Sequence, residues 1–110
     1  MARKGKPRQY FADAGVRNNG AGPLQSSVIV GADEDGALFE RYAEGYTNNE
    51  SELLAIIYTA SAAPEKSQIF SDSQLAVNLV YGRWQTKYPR LRLLSHVAKN
   101  IIEIKNQSLA

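Results

Sequence analysis

The chain reads as an α/β domain built on a mixed sheet with flanking helices. Three observations carry that reading. Short apolar or β-branched runs come first and helical periodicities follow. Asp33-Glu34-Asp35-Gly36 stands between two of the runs, and its Asp-Gly pair is a hairpin turn signal. A fourth apolar run is reached only through a helix, the kind of connection that sets two strands parallel with a right-handed crossover.

Residues 1–8 carry Gly, Pro and no apolar period, so they read as a flexible basic arm, and residues 9–110 as the domain. Gln9–Asp13 is a short aromatic and apolar run that fits a buried strand. The Gly, Asn and Pro content of residues 14–23 marks a loop. Ser26–Ala32 is a β-branched strand, and Ala37–Tyr46 is its partner across the turn. Neither face of that partner is cleanly apolar, because Leu38 and Tyr42 share one with Glu40 and Glu44.

Asn49–Ala63 is a helix, with Asn49 as N-cap and Glu52 at capping-box spacing. Leu53, Ile56, Ile57 and Ala60 form its buried stripe, and Pro64 stops it. Gln68–Asp72 is the fourth strand. A second helix runs from Ser73 to Trp84. A third opens at Pro89 and carries Leu91, Leu94, Val97, Ala98, Ile101 and Ile104 at spacings of three and four, to about Asn106. With strand four beside strand one, the sheet has an antiparallel meander (strands 1–3) on one side and a parallel pair in the middle.

Composition narrows the chemistry. The chain has 110 residues, enough for one core, and no cysteine, which excludes disulfides, cysteine–zinc sites and thiol catalysis and fits a cytoplasmic setting. No apolar run approaches the roughly 20 residues of a membrane span, so no membrane partner is expected. Net charge is only +2, but Arg3, Lys4, Lys6, Arg8 and Arg17 cluster around the first run. Such an arm adds salt-sensitive affinity for phosphates. Arg83, Trp84, Lys87, Arg90 and Arg92 form a second, short basic stretch.

Three acids have a joint explanation and three separate ones. Singly, Asp13 suits a turn, Glu52 completes a capping box with Asn49, and Asp72 caps the following helix. Jointly, Asp13 and Asp72 end two strands that pair in parallel, where open α/β sheets place their ligand sites. Glu52 projects from the start of the helix that connects them. Such a cluster repels itself unless a cation fills it, and Mg²⁺ prefers carboxylate oxygens. Carboxylates sharing two ions roughly 4 Å apart suit in-line hydrolysis of a phosphodiester. His96 is the sole imidazole.

Three blocks resemble the type 1 ribonuclease H family: Tyr10-Phe11-Ala12-Asp13-Ala14-Gly15 with Asn19-Gly20, Thr47-Asn48-Asn49-Glu50-Ser51-Glu52-Leu53, and Ser71-Asp72-Ser73-Gln74. The resemblance runs from Gln9 to about Asn106. It implies a ribonuclease H-like fold and a metal-dependent endonuclease that hydrolyses the RNA strand of RNA/DNA hybrids. Asp13, Glu52 and Asp72 match three carboxylates that hold two Mg²⁺ or Mn²⁺ ions. Asn19, Asn48, Asn49 and Gln74 match contacts to the hybrid's minor groove, and Thr47 a contact to a DNA phosphate. Those amide positions argue against a relative of the fold acting on DNA alone.

The pattern departs from the family in two places. Asp13-Ala14-Gly15 stands where Asp-Gly-Ser is usual. After the third helix the chain ends at Ala110, so the family's fifth strand, histidine loop, final helix and fourth carboxylate are expected to be missing. Glu103, near the end of that helix, is the only acid left after Asp72. A bare sheet edge would follow, inviting strand addition from a second copy in a homodimer or from another chain. The competing reading is a catalytically weak or inactive module for nucleic-acid binding or assembly.

Overall fold

The computed structural model describes residues 8–16 and 26–110. Apart from Arg8, the expected basic arm lies outside them, as do Arg17 and Asn19. Eight elements follow in order: β1 (Gln9–Val16), β2 (Ser26–Asp33), β3 (Gly36–Glu44), α1 (Asn48–Ala62), β4 (Gln68–Ser71), α2 (Gln74–Tyr81), α3 (Pro89–Ile104) and β5 (Ser108–Leu109). The sheet order is β3-β2-β1-β4-β5. Strands β1 to β3 form the antiparallel meander, and β4 runs parallel to β1, as the sequence implies.

Strand β1 runs three residues beyond the sequence reading. Ala14, Gly15 and Val16 pair with Ile29, Val28 and Ser27, so the Gly-containing segment belongs to the ladder and not to a loop. Tyr10, Ala12, Ile29 and Ile69 are buried from the sheet, against Leu53, Ala55, Ile56 and Ala60 of α1. Ser51 donates to Ser27 across this contact at 2.7 Å, satisfying a buried polar pair. Gly31 is required here, since a Cβ would stand 2.2 Å from the Phe39 ring. The mixed faces of β3 follow from its place at the sheet edge, where Leu38 and Tyr42 stay exposed and Arg41 lies over the Tyr58 ring.

Helix α2 stops at Tyr81, three residues before the expected end. Gly82 adopts a left-handed φ of 75° and its N–H closes on the carbonyls of Asn78 and Leu79. Helix α3 packs on α1 and α2 and buries Leu91, Ala98 and Ile102.

The expectation of a missing fifth strand and a bare β4 edge is overturned. Asn106 takes a left-handed φ of 53° and turns the chain back. Ser108 N donates to Ser67 O, Ala110 N to Ile69 O, and Ser71 N to Ala110 O, so β5 runs parallel to β4. Leu109 is buried, and both its backbone polar groups bond the Tyr81 hydroxyl. The Lys105 ammonium donates to the carbonyls of Ala60, Ser61 and Ala63, capping the end of α1, while Gln107 reaches Ala60 and Pro64. Strand addition from a second chain therefore loses its premise, because β4 already has a neighbour on that side.

Candidate metal centre

None of the three acids caps a helix. Asp13 lies inside β1, paired with Val30, and is no turn residue. The N-cap of α1 is Thr47, not Asn49, and the capping box closes with Glu50, not Glu52. Thr47 Oγ1 accepts from Glu50 N at 3.2 Å, and Glu50 Oε1 accepts from Thr47 N at 2.8 Å. Glu52 is thus in the second turn and free of capping. At α2 the cap is Ser73, whose hydroxyl accepts from Ala76 N at 3.2 Å, so Asp72 is also spare.

The freed groups converge. Carboxylate oxygens of Asp13, Glu52 and Asp72 all lie within 4.8 Å of one another. Asp13 and Asp72 are exposed, whereas Glu52 is partly buried and its Oε1 is shut from solvent with no hydrogen-bond partner. Burial pushes the Glu52 carboxyl up to about 7. The charges of Asp72 and then Asp13 push the same way, and the Ala14 N–H partly offsets them. Ala14 N also donates to Asp13 Oδ1 at 2.9 Å.

This donor set fits a hard divalent cation. It is all carboxylate oxygen, it carries one acceptor with no proton donor, and it holds like charges that a cation would neutralise. Glu103, on α3, is not in the cluster. The turn bearing Asp72 is braced from both sides: Ser71 Oγ accepts from Ser73 N, and Ser71 N donates to Ala110 O. The C-terminal strand thus supports the site.

The residues expected to contact substrate frame the cluster. Asn48 and Asn49 occupy the first turn of α1, four and three residues before Glu52, so they share its helix face. Both are exposed, as is Gln74, the first residue of α2. Thr47 accepts from Glu50 N, which leaves its hydroxyl proton available to a ligand.

Sequence reasoning missed Arg90. From the first turn of α3, its Nη1 donates to Gly45 O at 2.8 Å and to Glu50 Oε1 at 3.2 Å, and its guanidinium lies over the Tyr46 ring. It thereby holds the turn that presents Thr47, Asn48 and Asn49. A partner 40 residues away leaves no local signal beyond the basic stretch around it.

No family model and no curated protein matches the chain in sequence. Solved structures do match it in shape. The chain is 24% identical to the RNase H1 of the halophilic archaeon Halobacterium salinarum, with a TM-score of 0.72, covering 96% of this chain and 84% of that one. It is 21% identical to the N-terminal RNase H domain of a Mycobacterium tuberculosis protein, at TM-score 0.68 over 93% and 79% of the two chains. An RNase H1 isolated from compost, LC11, is 23% identical at TM-score 0.68, over 94% and 82%. LC11 has also been solved in complex with an RNA/DNA hybrid. The chain has the ribonuclease H-like fold.

Proposed function

We propose that the chain is a divalent-metal-dependent endonuclease that hydrolyses the RNA strand of RNA/DNA hybrids. The observation that carries this reading is the convergence of Asp13, Glu52 and Asp72 from three separate elements, each freed from capping or turn duty. Its fold is that of proteins called RNase H, one of which binds an RNA/DNA hybrid.

In this reading Asp13, Glu52 and Asp72 hold Mg²⁺ or Mn²⁺, two ions in all. Bound there, the ions supply water activation and stabilisation of the leaving oxygen. The chain's own residues select and orient. The amides of Asn48, Asn49 and Gln74 both donate and accept, which suits 2′-hydroxyls and base edges in a wide minor groove. Asn19 is proposed for the same contact. Thr47 donates its free hydroxyl proton to a phosphate oxygen of the DNA strand.

The test is cleavage of a labelled RNA/DNA hybrid with Mg²⁺ and with Mn²⁺, run beside Asp13→Asn and Asp72→Asn. Cleavage that both substitutions abolish is the expected result. A second reading is favoured by the cluster holding three carboxylates among the described residues: a module that binds the hybrid but cleaves it weakly or not at all. Tight hybrid binding without cleavage in either metal would select it.

A further inference from the structure

We infer that the outer edge of β3 is a docking site for a protein partner, and that it takes an extended, basic peptide as an added strand. Among the described residues β3 has β2 on one side and no strand on the other. Residues 39–44 pair with β2 in unbroken register, from Phe39 opposite Gly31 to Glu44 opposite Ser26. Every second residue of such a strand turns its N–H and C=O to the unpaired side, so about 20 Å of edge is open to a further ladder. Neither proline nor lysine, the usual blocks on an edge, interrupts it.

The edge adjoins a groove. A cavity of about 610 Å³ lies beside β3 and is lined from outside that strand by Ile29, Tyr46, Leu54 and Tyr58. Leu54 and Tyr58 stand four apart on α1 and so share one face of it. Phe39 meets the Tyr58 ring edge-on and Arg41 lies over that ring, so these residues of β3 face α1. A strand added to β3 therefore sets alternate side chains into the groove. In this mode main-chain bonds give affinity, and pockets for every second side chain give specificity.

Charge decides the occupant. Glu40 and Glu44 alternate to the other face of β3; both are exposed, and neither has an ion pair among the described residues. A second copy of the chain fits poorly. Two-fold antiparallel pairing sets a residue opposite its own copy. Registers centred on Glu40, Arg41 or Tyr42 bring Glu40 onto Glu40, Arg41 onto Arg41, or Glu40 onto Glu44, and like charges directly opposite are destabilising. A peptide with basic residues four apart answers both carboxylates, while apolar residues between them enter the groove. Asp13 lies two strands away, about 10 Å across the sheet, so the groove is separate from the carboxylate cluster. The inference goes beyond the hybrid-cleavage reading and does not depend on it.

The probe is a fluorescein-labelled, amidated hexapeptide, Lys-Val-Thr-Val-Lys-Val, titrated with the full chain and read by anisotropy. Saturable binding is expected, and the same peptide with Glu in place of both Lys is expected to bind at least tenfold more weakly. Two further peptides are N-methylated, one at the odd positions and one at the even. Only one set of N–H groups faces β3, so one of the two is expected to lose at least tenfold and the other to lose little. Glu40→Lys combined with Glu44→Lys is expected to weaken the Lys peptide at least tenfold and to bind the Glu peptide instead, a gain that an unfolded variant could not show. Failure of the Lys peptide to saturate, equal binding of the Glu peptide, equal behaviour of the two N-methylated forms, or indifference to the double substitution overturns the inference. So does a dimer of the free chain, seen by sedimentation, that the Lys peptide disperses, since the edge would then belong to a second copy. None of these outcomes bears on hybrid cleavage, which is read separately with metal present.

Discussion

Glu52→Gln is expected to stabilise the metal-free protein at pH 8. The wild-type carboxyl sits at about 7, against 4.5 for an unperturbed one. Below pH 4.5 it is protonated in both the folded and unfolded chain, and folding is insensitive to it. Between 4.5 and 7 the folded chain keeps a proton that the unfolded chain has released, so stability falls as pH rises. Above 7 the loss is complete. Fully expressed, that gap corresponds to about 3 kcal/mol. Glu52 is only partly buried, and solvent screening cuts the effect to about 1–2 kcal/mol. Glutamine keeps the shape and never ionises, so it recovers that amount at pH 8 and almost none at pH 4.5. For a domain this small the gain raises the melting temperature by about 4–10 °C. Urea unfolding in EDTA at the two pH values measures it. Added Mg²⁺ should stabilise wild type and leave the variant nearly unchanged. A variant no more stable than wild type at pH 8, or equally stabilised at both pH values, would refute the argument that Glu52 is held ionised against its surroundings.

Three further outcomes are expected. Asp72→Asn should weaken Mn²⁺ binding by about a hundredfold by calorimetry while changing the urea midpoint little, since Ser73 and not Asp72 caps α2. Arg90→Met should leave the buried Glu50 carboxylate short of one donor, costing about 1–3 kcal/mol. It should also raise the KM for hybrid several-fold with Mn²⁺ affinity unchanged, which steady-state cleavage kinetics and calorimetry would separate. Lys105→Met should uncap α1 and cost about 2 kcal/mol in urea unfolding, with a smaller loss of about 1 kcal/mol for Tyr81→Phe, which breaks the bonds to Leu109.

The order and pairing of the first four strands were legible because each rests on a local signal: a β-branched run, an Asp-Gly turn, or a helix bridging two apolar runs. Element ends were less so, because capping is decided by competition. Thr47 and Asn49 are both good caps three residues before a glutamate, and the backbone of Gly45–Thr47, held by Arg90, decides for Thr47. The fifth strand was illegible. Two residues have no period, and what makes Ser108–Leu109 a strand is the waiting edge of β4 together with the turn at Asn106. The three carboxylates were legible as a set, yet the reason they are free was not, since it lies in which neighbours do the capping.

That last point links the local chemistry to the candidate site. A carboxylate at a helix start is ordinarily consumed by backbone N–H groups, which lower its energy and remove it from any ligand. Here Glu50 and Ser73 take those bonds, one residue or two from Glu52 and Asp72. The Ser71 N–H that would otherwise open the β4 end is spent on Ala110. The residues around the cluster thus take the capping bonds and leave Glu52 and Asp72 out of them, Glu52 with a buried oxygen that meets no donor, while Asp13 accepts from Ala14 N alone. A fold gains nothing in stability from that arrangement. Under the proposed function it is the cost of keeping three carboxylates ready for a cation, and on that reading stability and metal affinity are expected to move in opposite directions when Glu52 is neutralised.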